Sequence, residues 1–404
     1  MFTLRDYQQD AVDRGVEYFN NPKEKKPVIQ ILPTGAGKSL IIAGIANRLW
    51  EPTLVFQPNK EILAQNYAKA QAYGIEASIY SASFNSKQIG KLTYATIGSV
   101  KSKPEYFQHF KTIIVDETHY VNPKQGMYKD FFEVLKDKKI LGLTATPYRL
   151  ASNSFGSELR FLTRTRPRVF YKVNYFIQIK ELFDRGYLCP LVYREIPGFD
   201  SNELQINSTG AEYTDLSIKA MYAKINFADR LRQTILDLIA EGRKSILVFT
   251  AFVDEAKQLI KSLPLNAAGA IVESKMPQEE RDRISRNFKN GVIKVVANVG
   301  IYTHGFDYPQ LDTVVHARPT RSLGLYYQIT GRGIRIHPDK PFALIVDMCE
   351  NVKRFGKIED LKLTEPSPAL WQYETHNGKV LTNVYQEGET TWKSFKNKYS
   401  RFRK

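Results

Sequence analysis

The run Leu32-Pro33-Thr34-Gly35-Ala36-Gly37-Lys38-Ser39 follows a short apolar segment, Pro27 to Leu32, and precedes a helical stretch, Leu40 to Leu49. Buried strand, glycine-rich turn and helix, in that order, are what a phosphate-binding loop requires. Glycines at 35 and 37 let the backbone curl so that successive N–H groups converge on phosphate oxygens. The helix start adds the positive end of its dipole. In this reading Thr34, Gly35, Ala36, Gly37, Lys38 and Ser39 line a nucleotide site. Lys38 reaches the β- and γ-phosphates, and the Ser39 hydroxyl holds Mg²⁺. The common pattern has glycine where this chain has Leu32, and a glycine-rich turn without nucleotide is the alternative.

A second set of groups completes the chemistry. The β-branched run Thr112-Ile113-Ile114-Val115 leads directly into Asp116-Glu117-Thr118-His119. A strand end puts carboxylates at the sheet edge where ligands of open α/β sheets bind. Asp116 can hold Mg²⁺, and Glu117 can orient and deprotonate an attacking water. His119 either relays between two sites or caps the strand end. Farther on, Gln328-Ile329-Thr330-Gly331-Arg332-Gly333-Ile334-Arg335 reads as helical. Arg332 and Arg335, three apart, then share one face. Two guanidiniums so placed could stabilise charge on a γ-phosphate, as an arginine finger does. A basic surface helix is the other reading.

These residues need elements to carry them. Short apolar strands alternate with helical stretches from about 27 to 150, at 28–32, 53–57, 77–80, 92–96, 112–115 and 140–144. The rhythm returns at 245–250, 268–271, 294–297, 313–316 and 342–346. Alternation of this kind implies parallel sheets covered by helices, an α/β fold in two halves. The expected division is 1–150, an irregular basic and aromatic segment at 151–214, 215–350, and a basic tail at 351–404. The 404 residues are 43% hydrophobic, enough for two cores, and carry a formal charge of +16, which favours a polyanionic partner. Cys189 and Cys349 are the two cysteines, too few for a disulfide scaffold or a cysteine-built zinc cluster. They fit a reducing compartment. No apolar run reaches membrane-spanning length, and no secretory signal pattern opens the chain.

The ordered set Arg5…Gln8, PTGAGKS, Gln57-Pro58-Asn59-Lys60-Glu61, Thr96…Ser99, DETH, Thr144-Ala145-Thr146-Pro147, Asn298…Gly305-Phe306-Asp307 and QITGRGIR resembles a superfamily-two helicase of the DExH type. The stretches LRDYQQDAV, LPTGAGKSLIIA, LGLTATPYRL and YYQITGRGIRIHP are most similar to the RadD-type group of bacterial DNA repair helicases. The resemblance implies two tandem RecA-like domains with an ATP cleft between them, ATP and Mg²⁺ as cofactors, and a nucleic-acid partner. DNA is expected over RNA, as a single-stranded track, with no membrane and no required oligomer. It implies an adenine-reading role for Arg5 and Gln8. Thr144, Thr146 and His119 take a coupling role. Gly305 and Asp307 stand near the ribose, and Gln328 joins the catalytic set with Lys38, Asp116, Glu117, Arg332 and Arg335. Lys60, Thr96 and Ser99 match positions that hold backbone phosphates, contacts that read no sequence. The implied setting is cytoplasmic: a bacterial cytosol or nucleoid, or a phage-infected cell. RadD-type chains continue into a cysteine-rich region, whereas residues 351–404 contain no cysteine.

Two basic stretches interleave with aromatics: Arg160, Phe161, Arg164, Arg166, Arg168, Phe170, Tyr171 and Lys172, and Trp392 to Lys404. Each is either a stacking platform for a single strand or a solvated basic face. Three activities fit the whole: a DNA motor, an RNA helicase, and an ATP-gated nucleic-acid clamp that separates no strands.

Overall fold

The computed structural model describes residues 3–386 apart from 136, 154, 155 and 304. The stretch from Trp392 to Lys404 therefore lies outside the described residues. The chain divides into two compact units.

The first unit is built on strands β1 (Val28–Ile31), β2 (Thr53–Gln57), β3 (Ser78–Ser81), β4 (Ser86–Lys87), β5 (Leu92–Thr96), β6 (Thr112–Asp116) and β7 (Lys139–Thr144). After β8 (Tyr148–Asn153) and β9 (Gly156–Phe161), β10 (Lys172–Phe176) returns to the same sheet. The order is β10-β1-β7-β6-β2-β5-β3-β4, parallel throughout except for β3 against β4. β1, β2 and β6 are buried along their whole length, which is why they read as continuous β-branched and apolar runs without alternation. On one face Phe56 meets the edges of Tyr128 and Phe131 at 5.7 and 5.2 Å.

The second unit repeats the plan with β11 (Leu191–Glu195), β12 (Ile246–Thr250), β13 (Gly269–Val272), β14 (Val295–Asn298), β15 (Thr313–Ala317) and β16 (Ala343–Asp347). Its all-parallel order is β11-β16-β15-β12-β14-β13. Ile246 and Val248 enter the core with Leu231, Ile235 and Leu238 of the helix Phe227–Ala240. Leu247 and Phe249 enter a second core with Ile284, Phe288 and Ile329. Successive residues of β12 thus feed opposite faces, as a two-sided sheet demands.

Three sequence expectations need correction. Residues 151–214 are not an irregular linker: β10 and β11 extend the two sheets, and Phe161 and Phe170 are buried core, not stacking platforms. Residues from 351 onward are not simply a tail. They form the helix Asn351–Phe355 and the hairpin β17 (Lys362–Ser367) and β18 (Leu370–Glu374). Leu363–Tyr373 belongs to the first unit, where Trp371 packs 4.9 Å from Phe176. β19 (Tyr385–Gln386) pairs with β9. Finally, the helix carrying Gln328 stops at Thr330, so Arg332 and Arg335 do not share a helix face. The chain turns at Gly331 and Gly333. A Cβ on Gly333 would stand 3.1 Å from the Ala343 Cβ, a backbone approach that a continuing helix of larger residues could not make.

Candidate nucleotide site and nucleic-acid face

The turn after β1 is braced from below. Leu32 N donates to Thr144 O on β7 at 3.0 Å, and Ala36 N donates back to Pro33 O at 3.1 Å. Gly37 has φ +80°, and a Cβ there would meet Gln8 Nε2 at 2.5 Å. Glycine is required on both counts. Gly37 is the N-cap of the helix Lys38–Arg48. From the N-terminal helix Asp6–Asn20, Gln8 Nε2 donates to Ala36 O at 3.0 Å and Tyr7 OH to the same carbonyl at 2.9 Å. Gln8 Oε1 accepts from Arg5 N at 3.0 Å. Gln8 is buried against the loop, and Arg5 joins it through its backbone N–H.

β6 delivers its carboxylates to the same place. Glu117 takes a left-handed conformation, φ +47°, uncommon for a residue with a side chain. That twist turns its carboxylate back over the loop: Oε1 lies 3.4 Å from Lys38 Nζ, and Oε2 lies 3.4 Å from His119 Nδ1. Asp116 Oδ1 accepts from Glu117 N at 2.9 Å, and Oδ2 accepts from Asn66 Nδ2 at 2.9 Å. The Asn66 Oδ1 in turn accepts from the Ser39 hydroxyl. Burial pushes the Asp116 carboxyl up to about 7, and Glu117 adds to the rise; Lys38 and Asn66 oppose it. A carboxyl held this far above its usual range is one that gains by meeting positive charge.

Thr144, Thr146 and His119 form one knot. His119 Nδ1 is 2.9 Å from Thr144 Oγ1 and 3.1 Å from Thr146 Oγ1, and Thr146 N donates to Thr144 Oγ1 at 3.0 Å. Arg149 Nη1 donates to His119 O at 2.5 Å. Burial lowers the His119 pKa, with Lys38 and Arg149 acting the same way against Glu117. The imidazole therefore sits as a neutral hydrogen-bonding link between the ends of β6 and β7.

On the same unit Lys60 is exposed, with Nζ over the Phe84 ring at 5.5 Å. Thr96 Oγ1 lies 2.9 Å from Ser99 Oγ and 3.2 Å from Ser81 Oγ, and Ser99 Oγ accepts from Ala82 N at 2.9 Å. Two of the three expected phosphate contacts, Thr96 and Ser99, are thus joined by a hydroxyl chain that includes Ser81. Residues missed from the sequence are Asn66 and Ser81. The signal for Asn66 was available: it is the one amide on the buried stripe Leu63, Asn66 and Ala70.

In the second unit Arg335 Nε stands 3.1 Å from Asp307 Oδ1, close enough for an ion pair although not aligned as a hydrogen bond. Arg332 donates to Phe306 O at 2.7 Å and to Gln328 O at 3.1 Å. Lys340 Nζ donates to Gly333 O at 2.9 Å and Leu311 O at 3.0 Å, holding the turn between the two arginines. Gly305 has φ +72°, and Gln328 is half-buried.

Residues 1–149 match the family model "Type III restriction enzyme, res subunit", and residues 229–337 match "Helicase conserved C-terminal domain". A 51.5 kDa protein of a Lactococcus phage is 27% identical over 80% of this chain and 66% of its own length. The DNA 3'-5' translocase XPB2 of Sulfurisphaera tokodaii is 24% identical over 85% of this chain and 80% of its own. A putative HsdR subunit fragment of a type I restriction enzyme from Vibrio vulnificus superposes with a TM-score of 0.65 at 20% identity, over 88% of this chain and 66% of that one. The chain spans 51% to 66% of the length of the first curated relatives it matches. The two parallel sheets are a tandem pair of RecA-like domains.

Proposed function

We propose that this chain, which carries the two domains of a superfamily-two helicase, is an ATP-dependent motor that moves on or unwinds nucleic acid, with DNA as its polymer. The observation that carries the reading is the convergence of Lys38, Ser39, Asp116 and Glu117 at the ends of β1 and β6. The donor set suits Mg²⁺ carried in with a nucleotide: one hydroxyl and one carboxylate, both hard oxygens. Among the described residues no cluster of three or more His, Cys, Asp or Glu offers a site for a metal bound by protein alone. When bound, Mg²⁺ would neutralise charge on the phosphate oxygens, and Ser39 and Asp116 would hold it.

Lys38 supplies a fixed positive charge for the terminal phosphates. Glu117, held between Lys38 and His119, accepts the proton of the attacking water. The His119–Thr144–Thr146 knot carries displacement of the β6 end to the end of β7. Arg335 and Arg332 of the second unit supply arginine-finger charge, and Arg335 leaves Asp307 to do so. Gly305, Asp307, Arg5 and Gln8 complete nucleotide recognition, with Gln8 acting through the loop it braces. Lys60, Thr96 and Ser99 hold the backbone of a single strand. A DNA translocase among the relatives supports DNA. The finer placement, a DExH motor of the RadD-type repair group, rests on the DETH box and on stretches such as YYQITGRGIRIHP.

ATP hydrolysis measured with single-stranded DNA, duplex DNA and RNA tests this reading. The expected result is low basal turnover raised most by DNA. Stimulation by RNA alone overturns the DNA assignment, and no stimulation by any polymer overturns the motor. A directional strand-displacement assay separates a motor from an ATP-gated clamp.

A further inference from the structure

The helix Lys60–Ala72 buries Leu63, Asn66 and Ala70, a stripe where an apolar side chain is the ordinary choice. Asn66 breaks the stripe and is 2% exposed. A buried amide is costly unless both of its ends are satisfied. Here they are satisfied by two groups of the nucleotide site: Oδ1 accepts from the Ser39 hydroxyl, and Nδ2 donates to Asp116 Oδ2 at 2.9 Å. Only a side chain that accepts at one atom and donates at its neighbour can join a hydroxyl to a carboxylate in this way.

The same helix begins at the other site. Asn59 caps it, accepting from Ile62 N at 2.9 Å, and its first residue is the exposed Lys60 over Phe84. Thr96 and Ser99 stand at the end of β5, the strand that pairs with β2 just before this helix. From Lys60 to Asn66 is roughly 9 Å along the axis of one hydrogen-bonded helix. A shift of the helix start therefore moves Asn66 against Ser39 and Asp116.

We propose that Asn66 is a positioning residue through which nucleic acid held at Lys60, Thr96 and Ser99 sets the Ser39–Asp116 geometry, and so couples polymer binding to Mg–nucleotide binding. The inference rests on the functional reading above, since it requires a polymer at Lys60. Coupling of two sites is reciprocal, so it can be read without turnover.

The experiment uses the full chain and its Asn66→Leu variant, which keeps the branching and the number of heavy atoms and removes both hydrogen bonds. The Kd of a fluorescent oligo-dT is measured without nucleotide and with a saturating non-hydrolysable ATP analogue plus Mg²⁺. The parent should show a ratio of the two constants of about 5–150, the usual span of allosteric coupling. In the variant the ratio should fall to within about two-fold of one, while the nucleotide-free Kd stays within about two-fold of the parent. Analogue binding in EDTA should be the same in both proteins. An unchanged ratio in the variant overturns the inference and leaves the functional reading intact. A parent that does not bind the oligonucleotide overturns the functional reading and the inference together. Asn66→Ala reads the same ratio if the leucine variant does not fold.

Discussion

Numbered along the chain within each unit, the strands of the two sheets run in the same order, 1-6-5-2-4-3, once the flanking β10 and β4 are set aside. The strand ends are nevertheless put to opposite uses. Both first strands extend their pairing by one residue, Leu32 N donating to Thr144 O and Ile196 N to Asp347 O, but β1 then opens into the glycine loop and the helix Lys38–Arg48, whereas β11 runs on to the short turn Ser201–Glu203. β6 ends in Asp116 and Glu117. Its counterpart β15 ends in His316-Ala317 and runs on to Arg318, so one edge offers carboxylates and the other a cation. Burial pushes His316 down to about 3, leaving a neutral ring paired with Thr330. β16 ends in a buried aspartate too, but Asp347 accepts from Cys349 N at 3.0 Å and Val352 N at 2.6 Å, tying down its own loop. After β12, Ala251 N donates to Glu255 Oε2 at 3.2 Å, so the next helix start is closed by the chain's own carboxylate. One scaffold can therefore carry different groups at the same edge: a glycine loop, a lysine and paired carboxylates in the first sheet, and carboxylates bonded to their own following loops in the second.

The contrast can be broken most directly at Lys38. Lys38→Ala should reduce ATP hydrolysis at saturating nucleic acid to background, because no other loop residue neutralises the terminal phosphates. Turnover within a few-fold of the parent would remove the nucleotide-site assignment. Arg335→Ala tests the other sheet. Turnover should fall by ~10³–10⁵, as for arginine fingers. Stability without ATP should change by at most about 1 kcal/mol, because the pair with Asp307 is partly exposed. Normal turnover would direct attention to Arg332.

Glu117→Gln keeps size and one hydrogen bond but takes no proton. Nucleotide affinity should persist while turnover drops by ~10²–10⁴, and a parallel loss of both would make Glu117 structural. The smallest effect sharpens the comparison of the two aspartates. Asp347→Ala orphans buried donors and should lower stability by about 1–3 kcal/mol. Asp116→Asn should do the reverse. A carboxyl raised to about 7 stabilises the fold fully below its unfolded pKa and loses that contribution as pH rises through about 7. At pH 8 the asparagine variant, free of the buried charge, should melt no lower than the parent. Thermal melts of both variants at pH 8 decide this, and a lower midpoint for Asp116→Asn would make Asp116 a structural residue like Asp347.

Much of this was legible without coordinates. Strands such as 53–57 and 112–116 stand within a residue or so of where their β-branched runs put them, because a strand buried on both faces must be apolar throughout. The phosphate loop and DETH box name their own chemistry, since glycine, lysine and paired carboxylates at strand ends have few other uses. Local composition misled where burial mattered. Phe161 and Phe170 lie among arginines in sequence but in the core in space. Thr330 ends its helix because the next turns must pack against β16, which no local propensity records.

The sequence by itself determined which groups could act on a phosphate and, for Lys38, Asp116 and Glu117, which strand end would carry them, because both depend on residue type and short-range period; it put Arg332 and Arg335 on a helix that stops before them. Only the tertiary structure decided what each of those groups meets. Glu117 and Glu255 are the same side chain after comparable strands, yet one lies between Lys38 and His119 and the other accepts from the backbone N–H of Ala251. That difference lies in what long-range folding brings within 3.5 Å of each carboxylate, and partners distant in the chain leave no mark in local pattern.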